Sequence, residues 1–176
     1  QHVAQEFSDE LLVLDGGPCA VGIESTIVDC TRGVPVLLRP GQLARAEIER
    51  VAGQHLLSKE ELLAPDPQAP GTLLAHYAPR AKLRLMDVRE LRAALDMLGA
   101  DAKNIAVWAR APLRSASRAL LLRRMPDDAA TVAQQLFAVL RGFDDAGVKL
   151  IWVEAPPPEP TWDGVRDRLQ RAAASA

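Results

Sequence analysis

A dense run of proline between residues 64 and 71 limits how this chain can fold. The sequence there reads Ala-Pro-Asp-Pro-Gln-Ala-Pro-Gly. Proline has no backbone N–H and a fixed φ, so such a segment forms neither a helix interior nor a central strand. We therefore predict an extended linker over residues 64–81. It separates a first region, residues 1–63, from a second domain, residues 82–176.

Beyond the linker, strand and helix patterns alternate. Short apolar segments predict strands at 83–86, 104–108, 119–122 and 150–153. Apolar residues at helical spacing predict three amphipathic helices, whose inward faces carry Val88, Leu91, Leu95 and Leu98, then Val132, Leu136, Leu140 and Phe143, then Trp162, Val165 and Leu169. This alternation is typical of an α/β fold, so we predict a Rossmann-like domain with a mostly parallel sheet and helices on both faces.

Sequence patterns in the first region predict only short elements. Residues 11–15 predict a buried strand, and residues 44–51 predict a short helix. Residues 24–30 and 34–39 predict the two strands of a hairpin, because the connector Thr31-Arg32-Gly33 has the length and the glycine of a tight turn.

The register of this hairpin determines which side chains meet. A three-residue turn places Ser25 opposite Arg39 on a polar face, whereas a two-residue turn places Thr26 opposite Arg39. The three-residue turn also predicts a core face composed of Thr26, Val28, Cys30, Val34, Val36 and Leu38. A hydroxyl beside a guanidinium suits phosphate or carboxylate oxygens. An isolated Ser/Arg pair is, however, more commonly a solvated surface pair, and that interpretation stays open here.

Composition and charge argue against several classes of protein. The net charge of −2 gives no basic surplus of the kind that tRNA-phosphate binding uses. No apolar run approaches the roughly 20 residues of a membrane helix. The two cysteines and three histidines lack zinc spacing, so we predict no metal ligands. Two thiols in such a chain favour the reducing cytoplasm, with a Cys19–Cys30 disulfide as the alternative.

Several ordered motifs resemble one family. They are DGGPC at 15–19, GIESTIVD at 22–29, LRPG at 38–41, APGTLLAHYAP at 69–79, LRGFD at 140–144 and DRL at 167–169. Together they are similar to the long, two-domain form of the YrdC-like threonylcarbamoyl-AMP synthases. The resemblance implies that residues 1–63 are the carboxyl-terminal remnant of the YrdC-like α/β catalytic domain.

The resemblance also implies a reaction. Threonine, bicarbonate and ATP would give threonylcarbamoyl-AMP and pyrophosphate, with Mg²⁺ assisting. A tRNA threonylcarbamoyl transferase would then move the group to a tRNA adenosine next to the anticodon, so no stable tRNA binding is expected of this chain. The basic nucleotide-binding motifs with which the family's catalytic domain begins are not in this sequence. We therefore expect this chain alone to be inactive.

The family's site residues carry over to five positions. Ser25 matches a threonine-contacting serine, Arg39 matches an ATP-contacting arginine, and Thr26 is a further candidate. His76 and Tyr77 match a linker that lies across the active-site cleft as a lid. No catalytic residue is assigned, and Thr72 departs from a position that is often methionine. The alternative function is a non-catalytic regulatory or docking module of the tRNA-modifying assembly.

Overall fold

The structure, a computed structural model, describes residues 11–59, 61–62 and 78–174. Its first region contains a three-stranded sheet in the order β1-β2-β3. The pair β1–β2 is antiparallel and the pair β2–β3 is parallel. The elements are β1 (Ile27–Asp29), β2 (Val36–Arg39), α1 (Arg45–Ala52) and β3 (Leu57–Ser58).

The second domain contains a four-stranded sheet in the order β4-β7-β5-β6. All three of its strand pairs are parallel. The elements are β4 (Lys82–Met86), α2 (Val88–Leu98), β5 (Ile105–Ala109), β6 (Leu121–Arg124), α3 (Ala129–Asp145), β7 (Leu150–Glu154) and α4 (Asp163–Ala174), with short 3₁₀ turns at Gly99–Asp101 and Pro160–Trp162.

Alternating side chains of β5 place helices on both faces of this sheet. Val107 belongs to a core cluster with Leu91 and Leu95 of α2, whereas Trp108 belongs to a second cluster with residues of α3 and α4. Successive strand residues point to opposite faces, so α2 covers one face and α3 and α4 cover the other. The prediction of a parallel α/β sheet covered on both faces is confirmed.

The predicted hairpin register is wrong. Arg39 pairs with Ile27 rather than with Ser25, and Val36 pairs with Asp29, so residues 30–35 form the connection. The Asp29 carboxylate accepts bonds from the backbone N–H and the hydroxyl of Thr31 at 2.8 and 2.7 Å. This local turn ends β1 early. A register shift between Ile27 and Val28 displaces the preceding residues further.

Burial in the first region also differs from expectation. Residues 11–15 form no strand, and Leu12 and Leu14 are 85% and 87% exposed. Of the predicted core face, Cys30 and Val34 are exposed, while Val36 and Leu38 are buried. Both cysteines are free and exposed, so the structure contains no Cys19–Cys30 disulfide.

Only residues 78–81 of the predicted linker fall within the described part of the chain, so the boundaries of the first region, the linker and the second domain stay predictions. Within the described residues, no helix combines the length and apolar character that crossing a lipid bilayer requires.

Candidate functional site

Ser25 and Arg39 meet despite the shifted register. Arg39 ends β2 and is 8% exposed. Its Nε donates to the Ser25 carbonyl at 3.1 Å, and its Nη2 donates to Ser25 Oγ at 3.4 Å. The long arginine side chain thus reaches past its strand partner Ile27. A mostly buried guanidinium thus lies beside an exposed serine.

Thr26 has a structural role in the described chain. Its hydroxyl donates to the Leu43 carbonyl at 3.5 Å. Gly41 packs beside it so closely that a Cβ there would lie 2.4 Å from the backbone nitrogen of Thr26 and 2.8 Å from the Glu24 carbonyl oxygen. A glycine is therefore required where the chain leaves β2, and the two backbone segments that carry Ser25 and Arg39 are in contact.

The last helix of the second domain reaches the same place. Arg168 of α4 is 5% exposed. Its Nε donates to Glu24 Oε2 at 2.8 Å, and its Nη1 donates to the Pro40 carbonyl at 2.6 Å. Glu24 precedes Ser25, and Pro40 follows Arg39, so one guanidinium contacts both chain segments of the site.

Neighbouring charges on α4 hold Arg168 in place. Asp167 accepts from Nη1 of Arg168 at 2.8 Å, and it accepts from Nε and Nη2 of Arg171 at 2.9 and 2.8 Å. The hydrogen bond from Arg171 to Asp167 raises the pKa of Arg171. Asp167 thus bridges the guanidinium groups of Arg168 and Arg171.

The electrostatic balance keeps Glu24 ionised. Burial alone would raise the pKa of Glu24. It is outweighed by a hydrogen bond from the backbone, by the hydrogen bond and charge of Arg168, and by the charge of Arg39, so that the pKa is lowered from its ordinary 4.5. Glu24 is therefore a carboxylate at neutral pH, influenced by a guanidinium from each side of the contact.

A cleft of about 280 Å³ lies between the first region and α4. Its charged lining residues are Arg45, Lys59, Asp163, Arg166, Asp167 and Arg171. Arg45 pairs with Glu49, and Arg166 pairs with Asp163 at 2.9 Å. Burial raises the pKa of Asp163, against the lowering effect of Arg166 and Arg45. Protein carboxylates thus engage all three arginines of the cleft, whose described lining is mixed in charge.

A second charged cluster lies at the carboxyl ends of β5 and β7, and sequence reasoning missed it. Glu154 is 4% exposed and accepts from Arg110 Nη2 and from the Ala111 N–H, each at 2.7 Å. Arg110 also lies 5.5 Å from the centre of the Trp162 ring. A glutamate that ends an otherwise apolar strand was the signal available in the sequence. Both carboxylate oxygens are engaged, as a buried structural pair requires.

The last sequence expectations for the site concern the predicted lid residues and Mg²⁺. His76 and Tyr77 lie outside the described residues. Within the described ranges, no three His, Cys, Asp or Glu side chains converge to hold a metal ion. Glu24, beside Ser25, is already engaged by Arg168. The described side chains therefore do not form a Mg²⁺ site by themselves.

Comparison with known proteins gives a family and several relatives. Residues 43–174 match the family described as "Threonylcarbamoyl-AMP synthase, C-terminal domain". Proteins named threonylcarbamoyl-AMP synthase are 31% identical in Bacillus subtilis and 30% identical in Pyrococcus abyssi, each over 98% of this chain and 52% of the relative. A Schizosaccharomyces pombe protein of the same name is 30% identical over 99% of this chain and 48% of its own length.

Solved structures agree with this. The chain matches the crystal structure of Pyrococcus abyssi Sua5 complexed with L-threonine with a TM-score of 0.78 and 28% identity, over 98% of this chain and 52% of that one. A variant of the same protein, in which a histidine and the tyrosine after it are replaced by alanine, matches with a TM-score of 0.79 and 28% identity over 98% of this chain and 51% of that one. The chain spans about half the length of the relatives it matches.

Proposed function

Because this chain belongs to the family of threonylcarbamoyl-AMP synthase C-terminal domains, we propose that it is the carboxyl-terminal part of a long-form, ATP-using threonylcarbamoyl-AMP synthase. The observation that carries the proposal is the match, over 98% of the chain, to a Sua5 structure that binds L-threonine. In the reaction, the threonine amine and bicarbonate form a carbamate, with loss of water. A carbamate oxygen then attacks the α-phosphorus of ATP, and pyrophosphate leaves.

Ser25 and Arg39 have the chemistry for two parts of this task. The exposed Ser25 hydroxyl is a donor and acceptor suited to threonine. The Arg39 guanidinium is held in orientation by the Ser25 carbonyl and is suited to nucleotide phosphate oxygens. There it would offset the negative charge that develops during phosphoryl transfer. Thr26 supports the Ser25 backbone through its bond to Leu43.

Two further assignments belong to this proposal. The chain contains one histidine followed by tyrosine, at His76 and Tyr77, and the solved Sua5 variant replaces a pair of these same two residue types. We assign this pair to a lid that keeps water from the labile product. Mg²⁺ would enter with the ATP phosphates, as it commonly does with nucleotides, because the described residues provide no carboxylate set for it.

The product would pass to tRNA threonylcarbamoyl transferase proteins in the cytoplasm, without stable tRNA binding by this chain. The domain division that goes with this function is a synthase remnant at 1–63, a linker at 64–81 and a Rossmann-like domain at 82–176. A net charge of −2 supports the absence of a tRNA-binding role, because phosphate-binding proteins usually carry a basic surplus.

The test is threonine- and bicarbonate-dependent pyrophosphate release by the full-length protein. A charge-assisted hydrogen bond to phosphate is worth about 1.5–3 kcal/mol, so Arg39→Ala should lower kcat/KM for ATP by roughly 10- to 100-fold. Arg39→Lys should recover part of this loss, because lysine keeps the charge and loses the fork. Arg50→Ala, on an exposed position of α1, is the matched control. Unchanged kinetics in Arg39→Ala would remove Arg39 from the site.

The alternative, a non-catalytic docking or regulatory module, is favoured by one observation. The second domain has extensive core clusters of its own and contacts the first region through Arg168. Truncation of the longer protein before residue 82 distinguishes a part in the synthase reaction from a docking or regulatory role. Full synthase activity without the domain would assign it to docking, whereas a large loss would assign it to the synthase reaction.

A further inference from the structure

We propose that the outer edge of β6 is a docking site for an extended acidic segment of a partner protein, which would continue the sheet of the second domain. Strand β6 ends the four-stranded sheet, and among the described strands only β5 pairs with it. All four of its residues, Leu121–Arg124, are exposed. The inference goes beyond the synthase reaction and does not depend on it.

The backbone of β6 has hydrogen-bonding groups that face away from β5. The Met125 N–H donates to the Ala109 carbonyl at 2.8 Å, so Met125 directs its backbone groups toward β5. Because these groups alternate between the two sides of a strand, Arg123 shares that direction, whereas Leu122 and Arg124 point theirs outward. An added strand would bond to the outward groups, as peptides do when they extend the edge of a sheet.

The side chains of β6 follow the same order on both faces of the sheet. Leu121 and Arg123 pair with β5 residues of the core cluster that α3 and α4 cover. Leu122 and Arg124 pair with β5 residues of the cluster that α2 covers. Paired residues of neighbouring strands point to the same face, so each face has a leucine followed two residues later by an arginine. The leucines are 39% and 44% exposed, and an added strand would cover apolar surface on both faces.

The charge around β6 favours an acidic occupant. Residues 110–126 contain five arginines and neither aspartate nor glutamate, although the net charge of the chain is −2. Arg110 pairs with Glu154, and Arg124 pairs with Asp127. The other three arginines are exposed and form no ion pair within the part of the chain that the structure describes: Arg114, Arg118 and Arg123. A guanidinium matches the two oxygens of a carboxylate, so a segment that carries carboxylates complements this surface.

The order of the side chains specifies the sequence of the partner segment. In the antiparallel orientation, which gives the more stable strand pairing, the segment would read acidic-acidic-apolar-apolar. Its acidic residues would then lie opposite Arg124 and Arg123, and its apolar residues opposite Leu122 and Leu121. A second copy of β6 fits poorly, because antiparallel pairing would place the arginines of one copy beside the leucines of the other. Charged side chains on an edge strand disfavour such self-pairing.

The experiment measures fluorescence anisotropy of the labelled peptide Thr-Glu-Glu-Val-Val-Thr with the 176-residue chain. Replacing both glutamates by lysine should weaken binding at least about tenfold, because like charges then meet. Methyl groups on the nitrogens of the first Glu and the first Val, which face β6 in this register, should weaken it similarly. The matched control has its methyl groups on the second Glu and the second Val, which face away, and should bind normally.

Substitutions in β6 locate the docking site. Leu122→Pro removes an outward N–H and leaves the ladder with β5 in place, and edge strands accept proline at such positions. We expect the affinity for the acidic peptide to fall at least about tenfold, whereas Leu122→Ala, which keeps the N–H, should lose less. Arg123→Glu should also weaken binding roughly tenfold. Arg92→Glu, at an exposed position of α2, is the control and should leave the affinity unchanged.

Several results would overturn the proposal. They are a Kd for the acidic peptide weaker than about 1 mM, equal affinity for the lysine peptide, or unchanged affinity in Arg123→Glu. Binding of an oligouridylate in preference to the peptide would assign the arginines to nucleic acid, and self-association abolished by Leu122→Pro would assign the edge to a second copy. Loss of peptide binding in the full-length protein would mean that the rest of that protein covers the edge. Thermal melts accompany each variant; should Leu122→Pro not fold, undiminished binding of the peptide methylated toward β6 overturns the proposal.

Discussion

The two regions of this chain are stabilised in different ways. The second domain buries continuous clusters of apolar side chains on both faces of its sheet. The described first region leaves eight of its large apolar residues exposed, and α1 buries none of its residues. Its Ile23 packs into a cluster of the second domain, and its Glu24 and Pro40 bond to Arg168. The described first region thus depends on its neighbour, whereas the second domain rests on its own core.

The largest expected effect tests that difference directly. Leu136→Ala, at a fully buried position of α3, should lower the free energy of unfolding by about 2–5 kcal/mol, because it removes apolar contacts and leaves a cavity. Leu12→Ala, at a position 85% exposed, should stay within about 0.5 kcal/mol. Urea unfolding of this chain measures both. Equal losses in the two variants would show that both regions are packed equally tightly.

A smaller loss in the free energy of unfolding is expected where a polar side chain stabilises the second domain. Asp144, at the end of α3, accepts from the backbone N–H groups of Arg80 and Ala81 at 2.8 and 3.0 Å. Asp144→Ala should cost about 1–3 kcal/mol, because two backbone donors, that of Ala81 partly buried, lose their acceptor. Asp145→Ala, 79% exposed at the side chain, is the control. Hydrogen exchange at residues 80 and 81 should accelerate only in Asp144→Ala.

Acid should weaken the contact between the regions before it affects the second domain. The pKa of Glu24 is lowered in the folded chain from 4.5, so its contribution is complete above pH 4.5 and is lost as the pH falls through the folded value. Protection of the first-region amides against hydrogen exchange, expressed relative to the intrinsic exchange rate at each pH, should therefore fall below pH 4.5. In Glu24→Gln this titration should disappear. A loss of protection of the same size in that variant would assign the acid effect to other groups.

The smallest effect is expected at Cys30, which the alternating pattern had placed in the core. Because the side chain is exposed and free, Cys30→Ser should change the free energy of unfolding by less than about 0.5 kcal/mol. Thermal unfolding under reducing conditions measures this. A loss of more than about 1 kcal/mol would mean that the cysteine is buried, as the original hairpin register required.

Prediction from the sequence worked best where the signals were local. The strands near 83–86, 104–108 and 150–153 were correct, and nine of the eleven predicted inward helix residues are buried, while Val88 and Leu98 are half-buried. A strand or helix with one buried face shows its own period. The strand order was not predictable in this way. Insertion of β7 between β4 and β5 depends on packing across the whole sheet.

In the candidate site, one pair was brought together for the wrong reason. Ser25 and Arg39 are in contact, but through the reach of arginine and a register shift, not as strand partners. The turn made by the Asp29 side chain, which sets the hairpin length, has no reliable spacing signal. Arg168 was visible only as part of a motif, because its partners lie far away in the sequence and no periodicity links them.

The central position of β7 also determines when the sheet can form during synthesis of the chain. Residue 150 of β7 pairs with Lys82 of β4 on one side and with Ile105 of β5 on the other, while β4 and β5 share no ladder. While β7 is still inside the ribosome, strand β4 and the β5–β6 pair are therefore two separate pieces of the sheet. The segment that joins them continues into α4 and delivers Arg168. Closure of the sheet and arrival of the guanidinium at Glu24 thus belong to the same late moment of synthesis.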